Sequence, residues 1–72
     1  MSRLFARNVF IMKDYAKRSR IHSPVFVTED RHLLGIARGT TIICIGDYKS
    51  HPNWPMFERR FMEREINIVE VF

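Results

Sequence analysis

The chain has 72 residues, 46% of them apolar, with three glycines, three prolines, one cysteine and a net charge of +4. This composition excludes a disordered or collagen-like chain, the single cysteine excludes an internal disulfide, and no apolar run reaches the ~18 residues of a membrane-spanning helix. The length fits one domain, of a size that buries only about 60% of its unfolded surface and so gains from a partner.

The charge is unevenly spread. Residues 1–24 hold Arg3, Arg7, Lys13, Lys17, Arg18 and Arg20 against Asp14 alone, a net +5, whereas residues 25–72 come to −1. Periodicity predicts one amphipathic helix over residues 3–20. At about 100° per residue, Phe5, Val9, Met12 and Ala16 fall on one stripe, Leu4, Ile11 and Tyr15 widen it, and the six cations land on the opposite half. Ser2 is the expected N-cap. The β-favouring triplet Val9-Phe10-Ile11 supports a rival reading, a strand and then a short helix with a break near Lys13-Asp14.

Residues 24–27 read as a short buried strand. Thr28-Glu29-Asp30 is a helix-start signature, with a capping hydroxyl and acids in the first turn, so a helix is expected over residues 29–38, ending at Gly39. Gly35 weakens it, and the competing reading is a β-meander turning at Arg38-Gly39. Residues 40–45 form the clearest strand, apolar throughout and bounded by Gly39 and Gly46, as in a sheet centre covered on both faces. A polar loop follows over residues 47–52. Asn53 then caps a helix over residues 54–65, with Pro55 in its first turn. Trp54, Phe57 and Phe61 face inward with Ile66 beyond, and Arg59 and Glu63 pair outside at i, i+4. Residues 67–72 are a last strand, with Ile68, Glu70 and Phe72 on one side and Val69 and Val71 on the other.

The expected fold is therefore α+β, of a small α/β type. It has a sheet of about three strands with a C-terminal strand-helix-strand unit, covered by two or three helices including the basic N-terminal one. A last strand lying at a sheet edge would offer its free side to another chain, so a homodimer through that edge or a strand bound by another partner is expected.

No cofactor or metal is expected. His22, His32, His51 and Cys44 lack the close ligand pairs of a zinc site, and no phosphate-binding glycine motif is present. Cys44 in its apolar run reads as a small buried hydrophobe, suited to a reducing compartment. Val9 to Met12 is too short for the apolar core of a signal peptide, so the cytoplasm is the expected location. Asp47, Ser50 and His51, in the loop after the clearest strand, are the one set with acid–base potential. An apolar strand running into Gly46-Asp47 resembles the opening of the metallophosphoesterases. That family needs a histidine two residues after the aspartate, where this chain has Lys49. The strand-helix-strand spacing from Arg38-Gly39 onward is similar to that of ribosomal-type proteins that bind kink-turn RNA, but their Gly-x-Asn-Glu recognition segment is missing.

The basic N-terminal segment carries the strongest functional signal. Arg3, Arg7, Phe10, Lys13, Lys17, Arg18 and Arg20 are the candidate binding residues: cations that release counterions from phosphates, and a ring that stacks on an unpaired base. The expected function is a non-catalytic nucleic-acid-binding protein. RNA is preferred over DNA, since no helix-turn-helix or zipper is visible. The alternative is a protein-binding modulator, an antitoxin-like or phage-type inhibitor of a larger host enzyme, steered by the same cations to an acidic protein surface. No membrane partner is expected.

Overall fold

A computed structural model describes residues 1–72 and builds them around four parallel strands. The elements are β1 (Ser2–Ala6), α1 (Val9–Arg18), β2 (Pro24–Phe26), β3 (Thr41–Ile45), α2 (Trp54–Glu63) and β4 (Asn67–Val71). Two short 3-10 turns, Asp30–Leu33 and Tyr48–Ser50, sit in the connections. The strands lie side by side in the order β2-β1-β3-β4. The fold is thus a small α+β structure with four strands rather than three, and two α-helices rather than a third over residues 29–38.

The extra strand comes from the segment expected to open a helix. Residues 3–20 divide into β1 and α1, so the break falls at Arg7-Asn8, earlier than the Lys13-Asp14 break of the rival reading. The reason is burial on both sides. Leu4, Phe5 and Ala6 are all fully buried, a continuous apolar triplet that suits a central parallel strand and leaves no polar face for a surface helix. β1 pairs with β2 on one side and β3 on the other, with Leu4 beside Phe26 and Ile43. The N-cap is Asn8 rather than Ser2: its side-chain oxygen accepts a bond from the Ile11 amide at 3.1 Å.

The side chains of β1 feed two separate cores. Leu4 and Ala6 point to one face, where Met12 and Ala16 of α1 pack on them with Ile45. Phe5 points to the other face, among Val27, Leu33, Ile42, Cys44, Tyr48, Phe57 and Phe61. Five rings surround it. Phe57, His51, Phe61, Trp54 and Tyr48 have centroids 4.9, 5.2, 5.3, 5.9 and 6.3 Å from that of Phe5. Helix α1 alone covers the first face, and α2 and the two 3-10 turns lie on the second.

The helix expected over residues 29–38 shrinks to the turn Asp30–Leu33, and no β-meander replaces it. Gly35 and Gly39 take φ of +74° and +80°, which ends any helix between them. The turn is held by His32, whose Nδ1 accepts bonds from the amides of Thr28 at 3.1 Å and Glu29 at 3.0 Å. The cap is Glu29, not Thr28. In the C-terminal half the parallel strand-helix-strand unit is present in register, Thr41 beside Asn67 through Ile45 beside Val71. Helix α2 stops at Glu63, two residues early, and Arg60 rather than Arg59 pairs with Glu63, while also reaching Asp30 at 3.1 Å.

Phe5→Ala should lower stability by about 3–5 kcal/mol, enough to unfold much of a chain this small. Phe10→Ala, at a 75% exposed position, should change it by under ~0.5 kcal/mol. Urea unfolding followed by tryptophan fluorescence measures both. A continuous helix over residues 3–20 would leave Phe5→Ala far milder than this.

Candidate functional site

The division of residues 3–20 redistributes the candidate cations. Arg3 lies on β1, where strand alternation turns it to the same face as Phe5, away from α1. It is half-buried and no part of a helical strip. Arg7 sits in the β1–α1 loop, and Arg20 follows α1 in a left-handed conformation with φ of 52°. Arg18 is tied to Asp14 one turn earlier, Nε to Oδ2 at 2.9 Å. The seven candidates therefore do not form one surface.

What remains is compact. Phe10, Lys13 and Lys17 stand at i, i+3 and i+7 on the outward side of α1, opposite the buried Met12 and Ala16. Phe10 is 75% exposed. The ion pairs of the molecule join Arg18 to Asp14, Arg31 to Glu29, Arg38 to Glu65, and Arg60 to Asp30 and Glu63, so Lys13 and Lys17 take part in none. The helix that carries them is about 15 Å long, the rise of ten residues, with Arg7 just before it and Arg20 just after.

Strand order marks a second location. The chain leaves β1 toward β2 and returns to β3 on the opposite side of β1, and in open α/β sheets such a reversal opens a crevice beyond the strands' carboxyl ends. Arg7 and Asn8 border it on one side, Gly46 and Asp47 on the other. The side chains of Asn8 and Asp47 are engaged in the fold. Asn8 caps α1, and Asp47 Oδ2 accepts a bond from Ser50 Oγ at 2.6 Å. His51 stacks on Phe5, and its Nδ1 accepts from the Asn53 amide at 3.0 Å, leaving the ring proton on Nε2. Burial pushes the His51 pKa down. His51 bonds neither Asp47 nor Ser50, so the three residues with acid–base potential form no relay.

An open cleft of about 440 Å³ lies beside this crevice, lined by Gly46, Asp47, Tyr48, Lys49, Glu70 and Phe72. The loop of residues 47–52, expected as a polar connection, places Tyr48 in the core with 4% of its surface exposed. The Tyr48 hydroxyl donates to Glu70 Oε2 at 2.5 Å. Burial first, and the Glu70 carboxylate second, push the Tyr48 pKa up, and the same two causes push the buried Cys44 thiol up to about 12. Spacing gives no sign of the Tyr48–Glu70 pair, which joins residues 22 apart. The histidines and Cys44 do not gather with acids into any group of three metal ligands. No helix is long and apolar enough to cross a membrane.

No protein-family model matches the chain, and neither does any curated protein or solved structure.

The titrating core groups set a pH window for stability. Cys44 and Tyr48 are held neutral in the fold, so the stability they confer is complete below their ordinary pKa values of 9.0 and 10.0 and falls as pH rises beyond them. His51 is also held neutral, so its share is complete above its ordinary 6.5 and is lost as pH falls. Urea midpoints should be flat between about pH 7 and 9 and decline on either side. Tyr48→Phe should make the alkaline decline shallower and leave the acid side unchanged.

Proposed function

We propose that this chain is a small non-catalytic nucleic-acid-binding protein that takes single-stranded RNA along the outer face of α1. The observation that carries the reading is Phe10, an exposed ring at the head of a row that continues with two unpaired lysines, Lys13 and Lys17, on one rigid helix face. An apolar side chain has no stabilising role there, since it touches neither core. Lys13 and Lys17 would neutralise adjacent phosphates and release their counterions. Phe10 would stack on a base, which only an unpaired strand offers freely, and this favours RNA loops over duplex DNA. Arg7 and Arg20 extend the strip at its ends. Arg18 contributes less because Asp14 holds it, and Arg3 lies elsewhere. Cys44, buried and without a disulfide partner, suits the reducing cytoplasm that this reading assigns to the protein.

Fluorescence anisotropy with single-stranded RNA, duplex RNA and duplex DNA, at about 50 and 200 mM salt, tests the proposal. Replacing both Lys13 and Lys17 with Ala should reduce the slope of log affinity against log salt by about 0.7 per lysine. Phe10→Ala should weaken single-strand binding by about 1–3 kcal/mol, with little effect on duplex binding. Asp14→Asn, which frees Arg18, should tighten binding, and Arg3→Ala should leave it unchanged. Absence of binding at low salt, or indifference to the α1 substitutions, would sink the proposal. A pulldown with and without nuclease separates it from the modulator of a host enzyme, because a protein partner retained after nuclease would mean that α1 docks on an acidic protein surface instead.

A further inference from the structure

Strand β4 is the outermost strand on its side of the sheet, and its backbone shows which groups are free. In a parallel ladder the amide and carbonyl of one residue point to the same side, and successive residues alternate. The Asn67 amide donates to Thr40 O at 2.8 Å, and Val71 O accepts from the Gly46 amide at 2.6 Å. Asn67, Val69 and Val71 thus spend their backbone groups on β3. Those of Ile68, Glu70 and Phe72 point away from the sheet and meet no strand. The edge is also apolar: Ile68, Val69 and Phe72 are 38%, 43% and 95% exposed. Its only guard is the charge of Glu70, since β4 carries no lysine or proline and pairs with β3 in unbroken register.

We infer that a second copy of the chain occupies this edge, with β4 pairing antiparallel to β4 of the partner subunit about a two-fold axis through Val69. The register follows from hydrogen-bond parity and charge. Residues with free backbone groups must face each other, so 68 and 70 of one copy can oppose only 68, 70 or 72 of the other, or Ile66 beyond the strand. A two-fold at Glu70 would set two carboxylates directly opposite, which is destabilising. Axes at Ile68 or Val71 leave part of each strand without an opposing strand residue. The axis at Val69 overlaps all five residues of β4. It sets Ile68 opposite Glu70 of the partner subunit, Asn67 opposite Val71 of the partner subunit, and Val69 opposite its own counterpart. Ile68 and Glu70 exchange both backbone bonds in each of the two symmetric pairs. The partner's Ile68 then lies against Glu70, beside the Tyr48–Glu70 bond, which the isolated chain leaves open to water.

The resulting eight-stranded sheet has a geometric consequence. A two-fold axis normal to the sheet keeps both copies of α1 on the same face. Five strand spacings of ~4.8 Å separate the two β1 strands, so the helices stand about 24 Å apart. Ile43, Val69 and Val71 of both copies floor the space between them. On the reading proposed above, which this consequence rests on but the pairing does not, one nucleic-acid strand can meet two basic strips at once, with the gain of a bivalent contact.

Sedimentation equilibrium without nucleic acid, over a concentration series reaching the high micromolar range, should give twice the 8.6 kDa of one chain. Val69→Lys sets lysine opposite lysine and should halve that mass, whereas Ile68→Lys sets lysine opposite Glu70 of the partner subunit and should keep the dimer. Val69→Cys offers an independent check that needs no loss of binding. The opposed residues of a non-hydrogen-bonded pair have Cα atoms about 4.5 Å apart, within disulfide reach, so mild oxidation should link the chains rapidly through residue 69. Ile68→Cys, which faces a glutamate, should link far more slowly. A monomer throughout the series, a dimer that survives Val69→Lys, or equal cross-linking at 68 and 69 would each overturn the pairing. Because mass and cross-linking are read without RNA, their failure is separate from failure of the proposed RNA binding.

Discussion

Burial of β1 on both faces is the constraint on which the rest of the molecule depends. Three consecutive residues, Leu4, Phe5 and Ala6, are completely removed from solvent, and they divide their side chains between the two cores, as β3 does with Ile42, Cys44 and Ile45. A three-residue apolar segment can be buried in this way only as an inner strand whose faces are both covered. That requirement recruits α1 to one side and the aromatic group around Phe5 to the other. It also fixes the chain path: β2 and β3 must flank β1, so the sheet reverses direction at β1 and opens its crevice there.

Once β1 is a central strand, the charge of the first 24 residues is no longer one surface. Strand alternation sends Arg3 to the α2 side, the β1–α1 loop takes Arg7, and only the outward side of α1 keeps its cations together. The surviving group is smaller than the sequence suggests but better defined, a single exposed ring followed along the helix by two lysines that form no ion pair. Its helix is anchored by Met12 and Ala16, so the ring and lysines are held in place rather than carried on a loose arm. A pre-organised surface of this kind loses less side-chain and backbone entropy on binding than a flexible tail would.

The same economy of covering elements leaves the far side of the sheet bare. Two helices must serve four strands. α1 covers β1 and its neighbours, α2 leans on the aromatic group, and β4 keeps exposure along both its faces and its outer edge. None of the elements of residues 1–72 closes that edge. Tyr48 and Glu70 lie at this margin, joining the buried core to the open strand through one hydrogen bond.

The C-terminal strand-helix-strand unit is legible in the sequence because each piece has a distinct local signal: an all-apolar run between glycines, Pro55 in the first turn after Asn53, which holds the cap position although its side chain makes no capping bond, and an alternating final strand. Cys44 reads as a core residue for the same reason. Residues 3–20 cannot be read in this way, since over a few residues a helical stripe through Phe5, Val9 and Met12 and a strand that ends at Ala6 predict the same apolar positions. What separates them is whether Leu4 and Phe5 both need cover, and that depends on β3, which lies far along the chain. Residues 29–38 resist local reading for a similar reason. Their start signal is real, but the left-handed Gly35 and Gly39 and the anchoring of Leu33 beneath the sheet decide where the turn has to end. The sequence alone therefore determined which segments are apolar, where charge accumulates and which unit closes the chain. Tertiary structure decided which strand is central, which face each cation occupies and which edge stays open, because burial on two sides is a property of neighbours that local periodicity does not contain.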